Sequence, residues 1–399
     1  MARQTTRARV LLGDRKVGTL RYTQGRTAFE YEDLDPGHPV LGLAFEYDPG
    51  LANHEATGVP NWFANLLPER ESALRKIYNQ ILGGHVSDFL LLVYLGQDLP
   101  GAVRVEREGT LPNAMMEALE EAQEIPPKSS LEFSLSGMQL KFSMQENYGR
   151  FFLPSPGELG EWIVKLPNTV LPELPANEYL IMSWAAAIGI DVPEHRLIPL
   201  TAVSGIEEEY LEGGATAFAI RRFDRTATGR VHQEDFAQVF DVMPANKDRG
   251  QQEDIAQVLI DNCPQDFDEY LRRLVLCIAA GNNDEHLKNW SLRYADSRTP
   301  RLSPAYDMLS ATAYRDFRRK GLTLPIAQQE DMRYISRDHF RRFAESLDFD
   351  TARVLGVVDE AAAQLRETFP SVAEATNAPA FLVAHLQERL NHLPLLRRA

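Results

Sequence analysis

Three oxygen-bearing side chains lie close together late in the chain: Asp284, Asn289 in the same short segment, and Asp307 beyond one hairpin. Phosphoryl transfer from a nucleotide asks for such a set. The reaction leaves the protein little covalent chemistry and depends on orienting a hydroxyl and neutralising phosphate charge with a metal ion. In that reading Asp284 orients or deprotonates the acceptor hydroxyl. Asn289 and Asp307 hold Mg²⁺, a hard cation that takes oxygen ligands and keeps several waters. Asp and Asn also cap and close turns, and the Asp-x4-Asn spacing alone does not separate the two roles.

The elements that must position these groups are legible on either side. Leu274 and Ile278 fall in line with Tyr270, Leu271 and Val275 lie beside them, and Gly281 stands where a helix would stop. That spacing predicts a buried helix delivering the polar loop 282–289. Trp290, Leu292 and Tyr294 alternate with polar residues, which predicts a strand with those three inward, and the chain returns through Leu302 to Asp307.

Upstream lie groups suited to a nucleotide. Phe133–Met144 places apolar residues around a small-residue centre, as in two strands joined by a turn that covers phosphates. Gly137 would let backbone amides approach an anion, with Gln139 and Lys141 following it as further nucleotide-contact candidates. A plain hairpin turn is the simpler account of one glycine. In Glu161–Leu166 the residues Trp162, Val164 and Leu166 share one face, Ile163 and Lys165 the other. A lysine there suits nucleotide phosphates, although lysines also guard edge strands. Asn177-Glu178-Tyr179 opens a helix carrying Leu180, Ile181, Trp184 and Ile188, ended by Gly189 and Pro193. Glu178 is expected in the first turn, where it complements the helix dipole and also comes within reach of Lys165. Residues 218–225 read as a strand leading to a charged turn, a hinge between lobes, and 231–240 as the start of a helix.

The first segment reads as an antiparallel meander, Arg9–Leu12, Val17–Tyr22 and Thr27–Tyr31. Asn61–Tyr78 is expected to be helical with a break near Pro68. Ser87–Leu95 reads as a helix closed by Gly96, and 101–105 as a strand. Residues 107–131 turn acidic and then Pro- and Ser-rich, which marks a boundary. Helices are expected over 336–347, 351–369 and 378–390.

With 399 residues and 44% hydrophobic content the chain can bury a large core of a soluble globular type. Two cysteines, Cys263 and Cys277, make no disulfide framework, and the N-terminus lacks the apolar core of a signal peptide. No run reaches the roughly 20 apolar residues that span a bilayer. The expectation is a reduced, cytoplasmic protein with no membrane contact. Its formal charge of −15 argues against direct DNA binding. The local basic stretches 315–320 and 337–342 would touch phosphates only beside a basic partner.

Taken together, SLSGMQLKF (134–142), WIVKLP (162–167), NEY (177–179), RRFDR (221–225), HQEDFAQVF (232–240), NNDEHLKN (282–289) and SPAYDMLS (303–310) resemble the HipA family of serine/threonine kinases. NWFANLLPE (61–69) and LGQDLPGAV (95–103) extend the likeness over nearly the full length. The resemblance implies an α+β, bilobal protein-kinase-like fold: an N-terminal α+β module (1–106), a linker (107–131), a nucleotide-binding lobe (132–225) and a helical lobe with the catalytic loop (226–399). It implies Asp284 as catalytic aspartate, Asn289 and Asp307 as the metal pair, and Lys165 on the ATP phosphates with Glu178 as its ion-pair partner. Phe223 would lie by the adenine hinge, His286 in the catalytic loop, and Ser134 at the autophosphorylated position, where an added phosphate would compete with those of ATP. It further implies a translation-related protein substrate, such as an aminoacyl-tRNA synthetase. A small DNA-binding, HipB-like antitoxin is implied as partner, with operator DNA reached only through that complex.

Two departures stand out. Arg221 precedes Arg222 where an acidic residue is often found, so backbone contacts to adenine are expected rather than a side-chain one. Glu285 replaces a glycine of some relatives and restricts the loop. His286 is expected to fix the loop by hydrogen bonding rather than ligate Mg²⁺. Two other functions remain open from the residues: a small-molecule or lipid kinase on the same scaffold, and a non-catalytic corepressor that binds an antitoxin, against which the retained charged site residues weigh.

Overall fold

Period-2 alternation over the first thirty residues folds as three antiparallel strands, β1 (Thr6–Leu12), β2 (Arg15–Thr23) and β3 (Arg26–Tyr31), in the computed structural model of the chain. The structure describes residues 5–32, 37–70, 72–84, 86–109, 131–134, 139–154, 158–206 and 210–397. Gly13 and Gly25 make the reversals at φ +62° and +84°, a region other residues avoid. β4 (Glu55–Thr57) and β5 (Val103–Glu108) complete a sheet of order β4-β3-β2-β1-β5. Phe29, Trp62, Phe63, Tyr78 and Phe89 fill its core. Between Asn61 and Tyr78 the chain forms two helices, Asn61–Ala64 and Ala73–Ile81, with Pro68 in the break. The Ser72 hydroxyl caps the second, accepting the Arg75 N–H at 3.1 Å.

The middle lobe is built on a seven-stranded sheet. Its strands are β6 (Leu131–Ser134), β7 (Gln139–Asn147), β8 (Arg150–Phe152), β9 (Trp162–Lys165), β10 (His195–Pro199), β11 (Val203–Ser204) and β12 (Thr216–Arg221). They run in the order β10-β12-β9-β7-β8-β11, with β6 also on β7. β9 lies between β7 and β12, so Lys165 does not guard an edge. Alternation sorts the two faces. Trp162, Val164, Leu166, Ala217 and Ala219 join the core of the N-terminal module, while Phe218 and Ile220 join the core of the helical lobe. The module is therefore packed on the sheet through one continuous apolar cluster, and the greater part of the expected linker, 110–130, lies outside the described residues.

Two sequence expectations are corrected. The helix expected from Asn177 starts at Leu174 and runs to Ala187, with Pro175 in its first turn, so Glu178 sits a turn deeper than the dipole argument requires. After a short hairpin, β13 (Arg225–Thr226) and β14 (Gly229–Arg230), residues 231–240 begin as a strand, β15 (His232–Asp235), and only Phe236–Val239 is helical. His232 and Glu234 point into the core with period 2, and the strand pairs with β16 (Ser291–Tyr294), so tertiary pairing overrides a short helical pattern. Asp235 closes β15 by capping the helix, accepting the Gln238 N–H at 2.9 Å.

In the helical lobe β17 (Arg301–Leu302) pairs with β16. The helix Phe267–Ala280 is the central element, with Thr351–Ala375 and Ala380–His392 packed against it. Among the described residues no helix is long and apolar enough to cross a membrane, and Cys263 and Cys277 are free and buried. The basic stretch 337–342 is a solvated face: Arg337 pairs with Asp359, and Arg341 and Arg342 pair with Asp338.

Candidate active site

The helix Phe267–Ala280 ends at Gly281, whose φ of +74° turns the chain into the loop 282–289. A Cβ there would come within 1.9 Å of the Thr312 hydroxyl, so glycine is needed for space as well as for conformation. The loop is held from within and from outside. Asn282 donates to the Glu285 carboxylate at 2.7 Å, Asn283 donates to the Phe317 carbonyl at 2.9 Å, and Leu287 N–H donates to the Lys247 carbonyl at 3.1 Å. Glu285 is buried beneath the loop, which presses its carboxyl well above the usual range. The side chain that departs from the family pattern thus acts as an internal brace.

Asn289 Nδ2 donates to the Asp284 carbonyl at 2.7 Å. This contact ties the two polar residues into one turn. The structural role of Asp-x4-Asn and the chemical one coexist, because both side chains also line the interlobe cleft. Withdrawal from water pushes the Asp284 carboxyl up to about 7, opposed by the nearby Lys247 ammonium and assisted by Asp307. The His286 backbone N–H donates to the Asp284 carbonyl at 2.9 Å. Its ring, which was expected to fix the loop, leaves Nδ1 buried without a partner on the cleft wall, and burial keeps the imidazole neutral.

The β16–β17 hairpin carries the chain to Asp307, which adopts φ +55°, the left-handed region that Asp tolerates better than most residues. Tyr306 donates to the Lys288 carbonyl at 2.9 Å, and Asn177 both donates to Ser310 O and accepts from Ser310 N–H. These bonds lock Asp307 against the loop 282–289 and against the helix Leu174–Ala187.

Across the cleft, β7 and β9 set Lys141 opposite Lys165 in register. Lys165 contacts Asp307 and lies 2.5 Å from Glu178, and Lys141 lies 3.5 Å from Asp307. Burial disfavours the Lys165 charge, yet Asp307 and Glu178 together hold its pKa above the ordinary lysine value. Burial would raise Asp307, but Lys141 and Lys165 hold it well below the carboxylate range. Glu178, fully buried, is pushed up to about 7 by burial despite Lys165, and its Oε2 has no hydrogen-bond partner among the described residues.

Lys141, Lys165, Phe223, Asp284, His286, Asn289 and Asp307 share one cleft lining, and Glu178 stands behind Lys165. Phe223 packs on Tyr306 with ring centroids 5.7 Å apart. Arg221 points to Glu161 and Glu194, and Arg222 is committed to Asp98, Asp224 and Ser143. Arg222 is held within the protein, whereas Arg221 is half-exposed and its pairs are loose, at 3.7 and 3.5 Å. Gln139 is not in the cleft lining; it is fully buried and donates to the Leu166 carbonyl at 3.0 Å. Ser134 ends β6, paired with Gln139, and Gly137 lies outside the described residues.

Among the described residues no three His, Cys, Asp or Glu side chains form a self-sufficient metal cluster. One carboxylate, one carboxamide and an adjacent carboxylate still fit Mg²⁺, which is usually held by one or two carboxylates together with substrate phosphates. The sequence reading missed the cleft residues Lys247, Glu69 and Tyr306. Glu69 closes the segment NWFANLLPE of the N-terminal module, whose residue types alone assign it no role in a distant cleft, and Lys247 lies in the loop before the helix Gln252–Asn262, outside the quoted motifs.

The sequence model described as the HipA N-terminal domain matches residues 8–106, and that of the HipA-like C-terminal domain matches residues 133–369. "Putative kinase Y4dM" of Sinorhizobium fredii is 40% identical over 379 residues, covering 91% of this chain and 90% of that protein. "Putative kinase Y4mE" of the same organism is 30% identical, covering 75% and 76%. Among solved structures, the HipA of Shewanella oneidensis, determined with HipB and operator DNA, superposes with a TM-score of 0.73 at 21% identity, covering 98% of this chain and 96% of that one.

Proposed function

The chain belongs to the HipA family, and on that premise we propose that it is an ATP- and Mg²⁺-dependent serine/threonine protein kinase, the toxin of a type II toxin–antitoxin pair. The observation that carries the reading is the convergence, in one cleft, of Lys141 and Lys165 from the sheet with Asp284, Asn289 and Asp307 from the helical lobe. In this reading Asp284 accepts the proton of the substrate hydroxyl as its oxygen bonds to the terminal phosphorus and ADP departs. Lys165, backed by Glu178, and Lys141 face the phosphates, and Phe223 with Tyr306 forms an aromatic wall for the base. Asn289 and Asp307 would hold Mg²⁺, which when bound neutralises phosphate charge.

Ser134 is the proposed site of autophosphorylation, and a translation-related protein such as an aminoacyl-tRNA synthetase the proposed target in the cytoplasm. A HipB-like antitoxin is the proposed partner, with operator DNA bound through it. That division of labour suits a chain with a net charge of −15, and the Shewanella complex contains both of those components. Incubating the purified chain with labelled ATP and Mg²⁺ tests the reading. Label should appear on Ser134, and Asp284→Asn should cut transfer by about 10²–10⁴-fold while ATP still binds. Turnover in Asp284→Asn close to wild type would remove Asp284 from its role and the kinase reading with it.

A further inference from the structure

Four lysines line the cleft, and they differ in what already holds them. Lys141 and Lys165 are drawn to Asp307. Lys288 donates to the Asn65 carbonyl at 2.6 Å and lies 3.3 Å from Asp235, so it is spent on joining the catalytic loop to its neighbours. Lys247 is different. Among the described residues its ammonium has one ion-pair partner, Glu69 at 2.5 Å, which is 39% exposed and belongs to the N-terminal module. Its backbone is fixed, because its carbonyl accepts the Leu287 N–H of the catalytic loop at 3.1 Å. The side chain therefore extends from an anchored base, and its charge bears on Asp284.

We infer that Lys247 is a further phosphate-binding residue of this cleft, taking the terminal phosphate of the nucleotide, and that Glu69 holds it in reserve by competing for the same ammonium. The inference rests on the phosphotransfer reading of the site and deepens it. The exchange is favourable on general grounds. A partly exposed carboxylate pair contributes little, because water rehydrates the released Glu69, whereas a charge-assisted bond to a phosphate in a water-poor cleft is among the stronger ones. It also fits the charge inventory, since the lysines across the cleft are shared with Asp307 and, among the described residues, the other lysine lining the helical-lobe side is Lys288, held by Asn65 and Asp235. Lys247 also opposes the burial of Asp284. One consequence is that the seating of the N-terminal module and the arrival of nucleotide compete for a single lysine.

The test is calorimetric binding of a non-hydrolysable ATP analogue and of ADP, each with Mg²⁺, to the full chain, with the melting temperature recorded for every variant. Lys247→Ala should weaken analogue binding about 5–20-fold and ADP binding less than about twofold, and Lys247→Arg should keep most of the affinity. Glu69→Gln should tighten analogue binding about 2–5-fold, and that gain should vanish in the Lys247→Ala background. Equal losses for ADP and the analogue, no gain in Glu69→Gln, or a gain that survives without Lys247 would each overturn the inference while leaving the kinase reading intact. A wild-type chain that binds neither nucleotide would overturn both.

Discussion

Asp284 sits where its own charge is unwelcome. Desolvation lifts its carboxyl from 3.8 to about 7, so the folded chain holds that proton more tightly than the unfolded one does. The associated penalty is absent below pH 3.8, grows as pH rises, and is complete above about 7. Asp284→Asn carries no charge and escapes it. In the nucleotide-free protein the variant should melt at the wild-type temperature near pH 4 and about 1–4 °C higher near pH 8. A gap that does not widen with pH would mean that Asp284 is ionised without cost. The sequence marked this residue by its type and spacing. It could not supply the burial, which comes from the packing of two lobes, nor the proximity of Lys247.

At the scale of elements, the loop 282–289 leans on a helix of one turn. Asp235 ends β15, caps Phe236–Val239 through a capping box with Gln238, and lies 3.3 Å from Lys288. Gln238 in turn donates to the Trp62 carbonyl at 3.1 Å. Asp235→Ala should cost about 1–2 kcal/mol in denaturant unfolding, the usual range for a lost cap. Asp235→Asn, which keeps an accepting oxygen, should recover most of that and lose only the pairing with Lys288. Equal losses in the two variants would assign the whole effect to the ion pair. The long helices and the N-terminal meander were legible because their periods repeat over many residues. β15 was not, because its four residues fit a helical stripe as well as a strand until β16 is alongside.

At the scale of the whole molecule, the N-terminal module and the sheet are joined by apolar packing and by a buried polar knot. Asp224 accepts the Gly101 N–H at 2.8 Å, and Arg225 donates to the Gly101 and Leu99 carbonyls and to Asp98 at 2.9–3.0 Å. Burial lowers the Arg225 pKa, while its neighbours hold Asp224 far below the ordinary value after offsetting its own burial. Removing Arg225 leaves Asp224 and Asp98 to Arg222 alone and takes the donor from the Gly101 and Leu99 carbonyls. Arg225→Ala should therefore destabilise the chain by about 1–3 kcal/mol and split a single calorimetric transition into two as the module loosens. A single transition with an unchanged midpoint would mean that the apolar contact alone binds the module.

By itself the sequence determined what depends on neighbours along the chain: the strand and helix periods, the glycine at 281, the ordered motifs that mark the family, and the candidate oxygens and lysine of the site. The tertiary structure decided which of them meet. Lys165 reaches Asp307 and Lys247 reaches Glu69 across distant parts of the chain, Glu178 ended up behind the lysine rather than at a helix start, and Gln139 turned into the sheet. Those outcomes follow from sheet register and lobe packing, where a one-residue shift sends a side chain to the opposite face, and no local pattern of residue types encodes that choice.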